Sequence, residues 1–166
     1  MRGETVRRKS FRGGVHPPQY KELSCGLPIL EAPLPNTVVI PLTQHLGAPN
    51  EPLVKPGDTV RVGQKIADSK AFVAAPVHAS VSGRVVAVEP RPVAAGGSVL
   101  SVVIEREGDK EISAFAPPRA VEEMGPSELR AAMREAGLVG MGGAGFPTHV
   151  KYAVPPGKKL EYVILN

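Results

Sequence analysis

The chain has 166 residues, of which 18 are Gly and 18 Pro. Together they make up about 22% of the chain against a usual share of about 12%; this excludes a helical bundle, because helix interiors reject both residues, while 42% hydrophobic residues exclude a disordered Pro/Gly tract. The net charge of +4 resides in the first 12 residues, where Arg2, Arg7, Arg8, Lys9 and Arg12 face Glu4 alone; the other 15 bases and 15 acids cancel, and with no Trp and only seven Phe and Tyr to stack on bases, nucleic acid is not expected as a partner.

Residues 1–30 read as a basic arm and an extended lead, punctuated by Gly13-Gly14, Pro17-Pro18, Gly26 and Pro28. The cations of residues 2–12 suit anionic lipid heads or an acidic partner subunit; a solvated tail is the alternative. Cys25 is the single cysteine, so the chain cannot form an internal disulfide or supply a four-cysteine zinc or iron–sulfur site by itself. It is expected to be a buried apolar residue. His16, His45, His78 and His149 are too far apart to make a local metal motif, so no metal ligands are expected. His16 and His78 read as turn or interface residues. No apolar run approaches the ~18–20 residues that span a bilayer, and no signal-peptide pattern opens the chain. A reducing, cytoplasmic setting is expected.

Residues 31–115 read as β-structure. Residues 37–42 form a short strand ending at Pro41-Leu42. Lys55-Pro56-Gly57-Asp58 is turn chemistry, Thr59 to Val62 alternates, Gly63-Gln64 turns again, and Lys65 to Ala67 extends. Phe72-Val73, Val81 to Val88 and Val99 to Ile104 add β-branched runs. Short strands at this spacing predict a small barrel or sandwich.

Residues 116–166 change texture. Pro117-Pro118 reads as a linker. A helix is expected from Pro126 to Gly137, with Leu129, Ala132, Met133 and Ala136 on one face, Pro126 in its first turn and Gly137 at C′. A Gly-rich loop, 140–148, follows. Glu161 to Asn166 is a strand pattern with which the sequence stops, so this part is expected to be only the opening of a domain.

The 55–64 turn set, with Val81-Ser82-Gly83-Arg84-Val85, resembles the biotinyl/lipoyl-like barrel-sandwich hybrid. A carrier of that class needs a modified lysine at its hairpin tip. Aligning the family's Ala-Pro-x-x-Gly-x-Val alanine on Ala79 puts Phe72 at that position, and Lys70 lies two residues away. A structural barrel is therefore expected, with the carrier as a disfavoured alternative.

Gly140-x-Gly142-x-x-Gly145 satisfies dinucleotide-binding spacing, but a helix precedes it and Pro147 follows, which is not the strand–loop–helix setting of that fingerprint. Four glycines in six residues leave backbone N–H groups uncovered, able to approach a phosphate or a flat ring. Phe146 could lie against an aromatic ring and Lys151 could add a cation. A bare connector is the alternative, although one glycine would serve it.

The segment Gly140-Met141-Gly142-Gly143-Ala144-Gly145-Phe146-Pro147-Thr148-His149-Val150-Lys151 resembles the flavin- and NADH-binding segment of the respiratory complex I 51-kDa subunit. Phe11-Arg12-Gly13-Gly14-Val15-His16-Pro17-Pro18 and Pro76-Val77-His78-Ala79-Ser80-Val81-Ser82-Gly83 resemble the RnfC component of the Rnf complex, an ion-translocating ferredoxin:NAD oxidoreductase. The resemblance implies an α+β, mostly β chain. A basic arm and lead (1–30) would precede a barrel-sandwich hybrid (31–115) and then the start of a complex I 51-kDa-like α/β flavin-binding domain (116–166). It implies FMN and NAD(H) as cofactors, bound by Gly140, Gly142, Gly143, Ala144, Gly145, Phe146, Thr148 and Lys151, with no catalytic side chain. Met141 stands where the complex I motif has Arg. The family's [4Fe–4S] clusters find no ligands in this chain. Implied partners are the other subunits of a membrane electron-transport complex, with this subunit peripheral on the cytoplasmic face of the bacterial membrane. A non-catalytic docking scaffold is the rival reading, and a microcompartment cobalamin reductase, whose similar loop lies nearer its N-terminus, is a further one.

Overall fold

The computed structural model describes residues 17–107, 120–159 and 161–162. The chain divides into two units, Met1–Leu34 and Pro35–Asn166. In the first, a 3-10 turn spans Lys21–Leu23, and every described residue from 17 to 34 is exposed. Cys25 is among them. This corrects the expectation of a buried cysteine, because the lead has no core of its own to bury it in.

The second unit contains the β-structure. Its strands are β1 (Thr37–Pro41), β2 (Glu51–Pro52), β3 (Thr59–Val60), β4 (Lys65–Asp68), β5 (Val77–His78), β6 (Gly83–Pro92) and β7 (Ser98–Arg106). One sheet has the order β1-β7-β6-β3 and the other β2-β4-β5. Between them lie Ile40, Leu42, Val60, Ile66, Ala67, Val77, Ala79, Val81, Val85, Val102 and Ile104. Each fully buried Val, Leu or Ile contributes about 1.5–3 kcal/mol, and this layer holds the two sheets face to face.

The turns read from sequence lock the two halves in parallel ways. Gly57 N donates to Val85 O, and Val85 N to Asp58 O, both at 2.8 Å. Gly63 N donates to Ala79 O, and Ala79 N to Gln64 O, both at 2.9 Å. The β6–β7 hairpin is longer than its β-branched runs suggest and includes Pro90 and Pro92. β6 pairs with β3 only through Gly83 and Arg84, so the prolines lie where one side of the strand has no partner strand and the missing N–H costs nothing. The fold is the mostly β barrel-sandwich hybrid expected. Phe72-Val73 is not a strand, however. It lies in the β4–β5 connection, where Val73 O accepts from Ala48 N at 3.0 Å.

Helix α1 spans Pro126–Glu135, with Pro126 in its first turn. Glu128 reaches back to the Gly125 amide at 2.9 Å. Gly137 follows with φ +67°, the left-handed C′ residue that stops the helix. A Cβ there would stand 2.5 Å from Pro76 O, so glycine is also what lets the helix end lie against the barrel. The expected apolar face is not buried: Leu129 and Met133 are half-buried, and Ala132 and Ala136 are exposed. The helix meets the barrel instead along its Arg134 edge. Pro117-Pro118 and residues 163–166 of the expected last strand lie outside the described residues. No helix among the described residues is long and apolar enough to cross a membrane.

Candidate functional site

The Gly-rich loop is closed at its base like a small hairpin. Val139 and Pro147 form an antiparallel bridge, Gly140 N donates to Phe146 O, and Thr148 N donates to Leu138 O, both at 2.9 Å. A short helix, α2 (Thr148–Lys151), starts immediately after. A bridge therefore leads in and a helix leads out, but Pro147 sits between loop and helix where a dinucleotide fingerprint would have helix already.

Within this closed base the expected site residues gather in one place. Gly142, Gly143 and Ala144 are exposed at the tip, Phe146 and Thr148 are half-buried at the base, and Lys151 is exposed on α2. A Cβ on Gly142 or Gly143 would meet nothing within 4 Å. Their glycine character therefore answers no packing need within the described chain; it leaves bare backbone. Residues 141–144 form a turn, and at Gly142 and Gly143 no side chain screens the backbone from an anion or a polar ring edge. Lys151 reaches the base of the loop. Its Nζ lies 2.9 Å from where a Gly140 Cβ would be. Met141, at the complex I arginine position, is 97% exposed and brings no charge.

The loop rests on the barrel. Gly145 has φ +68°, and a Cβ on it would stand 2.8 Å from Gln44 O. Leu46 N donates to Gly145 O at 3.3 Å. The cleft between barrel and helix end, lined by residues such as His45, Pro76, His78 and Val139, holds about 200 Å³, below the roughly 300–1,000 Å³ of small-molecule pockets.

Three further contacts fix the segments on either side of the loop. Arg134 makes a forked pair with Asp68, Nη2 to Oδ1 at 2.8 Å and Nη1 to Oδ2 at 3.3 Å, and also donates to Ser69 O. Lys65 bridges Asp68 and Glu135. His149, 6% exposed, donates from Nε2 to Phe72 O at 3.0 Å. Burial raises the Asp68 carboxyl, but hydrogen bonds from Arg134, the Ser69 amide and Lys65 outweigh it, and it titrates below its ordinary value. Burial lowers Lys65, and the hydrogen bonds to Glu135 and Asp68 outweigh it, leaving it raised. His78, half-buried beside the helix end, is lowered by burial and then by Lys65. Sequence reasoning missed Asp68, Arg134 and His149 as a group, because the contacts join residues 66 and 77 positions apart. The tip where a carrier would bear its lysine holds Phe72, 65% exposed, with its backbone occupied by His149. That arrangement does not suit a swinging arm.

The domain family described as the RnfC barrel sandwich hybrid domain matches residues 9–109, and the Nuo51 FMN-binding domain matches residues 133–166. Curated relatives of the chain hold the C position in the naming of their complexes. The chain is 48% identical over 162 residues to the C component of the Na(+)-translocating ferredoxin:NAD(+) oxidoreductase complex of Acetobacterium woodii, covering 97% of this chain and 37% of that protein. It is 48% identical over 159 residues to the C component of the proton-translocating ferredoxin:NAD(+) oxidoreductase complex of Clostridium ljungdahlii, covering 95% and 35%. It is 40% identical over 159 residues to the C component of the ion-translocating oxidoreductase complex of Pseudomonas aeruginosa, covering 95% and 20%. The chain thus spans about a third or less of the length of these curated relatives.

Proposed function

The chain belongs to the RnfC barrel-sandwich hybrid family, and from that premise we propose that it is the N-terminal part of the peripheral electron-input subunit of an ion-translocating ferredoxin:NAD oxidoreductase complex. Residues 1–30 are its arm and lead, 31–115 its barrel and 116–166 the start of its flavin-binding domain. The barrel organises the chain. Gly140, Gly142, Gly143, Ala144, Gly145, Phe146, Thr148 and Lys151 would hold FMN, with NAD(H) as the second cofactor of the site. When bound, FMN supplies the exchange between two-electron hydride chemistry and single-electron transfer. The residues of this chain bind and orient. The glycine-rich turn and the Lys151 ammonium suit an anionic phosphate, Phe146 suits a ring, and the bare Gly142-Gly143 backbone permits close approach. The [4Fe–4S] clusters are held elsewhere in the whole protein. Its partners are the other subunits of the complex, at the cytoplasmic face of the membrane, where residues 2–12 reach anionic lipid.

The observation that carries this reading is the bare glycine loop, closed at its base and approached at Gly140 by the Lys151 ammonium, within the segment that matches an FMN-binding domain. Titration with FMN, followed by quenching of its fluorescence, tests it. The whole protein of which this chain is part is expected to bind FMN. Gly143→Val, whose side chain projects into open space, is expected to keep the melting temperature and lose the binding. Equal affinity in that variant would remove the loop from the site and leave the docking scaffold as the better reading.

A further inference from the structure

We propose that the β4–β5 hairpin tip of the barrel, residues 68–72, is a positioning clamp for the Gly-rich loop, with Arg134 and His149 as its positioning residues. As a statement about flavin binding it rests on the FMN reading above.

The tip grips the chain on both sides of the loop. Before it, Arg134 near the end of α1 is held by the Asp68 carboxylate and donates to Ser69 O at 2.6 Å. After it, His149 in α2 donates to Phe72 O, with the Phe72 ring edge-on to the imidazole at 6.1 Å and 86°. The carbonyl can only accept, so Nε2 carries the proton. The tip residues are consecutive, and the two gripped residues bracket Gly140–Thr148 in sequence. His149 sits between two expected site residues, Thr148 and Lys151, so its seating sets where both lie. At the loop itself, Leu46 N and the close Gln44 carbonyl hold Gly145 to a different part of the barrel.

A Gly-rich loop loses more backbone freedom on ordering than any other sequence. If both its ends were loose, that loss would fall on ligand binding and would weaken it. Anchoring the flanks to one rigid hairpin places part of that ordering in the folded protein before any ligand arrives. The tip that bears the lysine in a carrier thus supports a neighbouring site here.

Hydrogen exchange at the Gly140 and Leu46 amides, read without ligand, and FMN affinity, read separately, test the clamp. His149→Phe keeps a ring and removes the donor. It is expected to speed exchange at both amides and weaken FMN binding about three- to tenfold, the worth of one hydrogen bond. His149→Gln restores an amide donor of similar reach and is expected to recover both. Asp68→Asn, on the barrel side, is expected to speed the same exchange. Ile40→Val, in the barrel core, is expected to lower the melting temperature and change neither. Unchanged exchange in His149→Phe and Asp68→Asn, or an equal effect from Ile40→Val, overturns the clamp. If the whole protein does not bind FMN at all, the FMN reading fails, while the exchange measurements still decide the clamp.

Discussion

At Gly140 and Gly145 the same residue type does two different jobs, and substitution by Ala separates them. A Cβ on Gly140 would meet only the far end of the Lys151 side chain at close range. Gly140→Ala should therefore leave the melting temperature unchanged, displace the ammonium from the loop and weaken FMN binding. A Cβ on Gly145 would meet the fixed backbone of Gln44, and its φ of +68° strains any side chain. Gly145→Ala should cost about 1–3 kcal/mol of stability, read by denaturant unfolding. Equal stability in the two variants would contradict this division. The spacing of the glycines was legible in the sequence, and so was their value to a ligand. Their division was not, because packing against Gln44 or Pro76 depends on chain segments about 60 or more residues away. Phe72 was legible as the absence of a carrier lysine. Its carbonyl as the acceptor for His149 was not, since any residue offers a carbonyl.

Between β4 and α1 the contact is ionic, and pH should act on it from both sides. Asp68 titrates below its ordinary 3.8 when folded. Its contribution is therefore complete above 3.8 and is lost as pH falls through the lower folded value. Lys65 titrates above its ordinary 10.5, so its contribution is complete below 10.5 and is lost as pH rises through the higher folded value. His78 titrates below its ordinary 6.5. Its preference for the neutral form adds stability above 6.5 that declines as pH falls from 6.5 through the folded value. Thermal unfolding across pH should show a first decline beginning near 6.5, a second below 3.8 and an alkaline decline above 10.5. Asp68→Asn should abolish the second, and His78→Gln the first. A second acid decline that survives in Asp68→Asn would show that this pair does not hold the helix. The element positions were largely readable: the strands at 37–41 and 59–60, the helix and its C′ glycine. The sequence placed Leu129, Ala132, Met133 and Ala136 on one face of α1, whereas the helix meets the barrel through Arg134. Periodicity reports which face is apolar, not which face touches a given neighbour.

Over the whole molecule, charge is placed unevenly along the chain. Relatives named for sodium and for proton translocation are each 48% identical to it, so similarity over this portion does not follow the ion. What does vary along the chain is the contrast between a neutral body and its first 12 residues, which hold the whole +4. Beside them, the described lead exposes Leu23, Leu27, Ile29 and Leu30. A basic residue at an anionic membrane surface is worth about 1 kcal/mol, so removal of residues 1–12 should lower binding to phosphatidylcholine vesicles containing phosphatidylglycerol by roughly a hundred- to thousand-fold. Raised salt should do the same to the intact chain, since it shortens the reach of exposed charges. Sedimentation with vesicles at low and high salt measures both effects. Equal binding of the intact and shortened chains at low salt would deny the arm this role. Binding by the shortened chain that persists at high salt would instead belong to the exposed leucines and Ile29, because burial of apolar surface, unlike ion attraction, is not screened by salt.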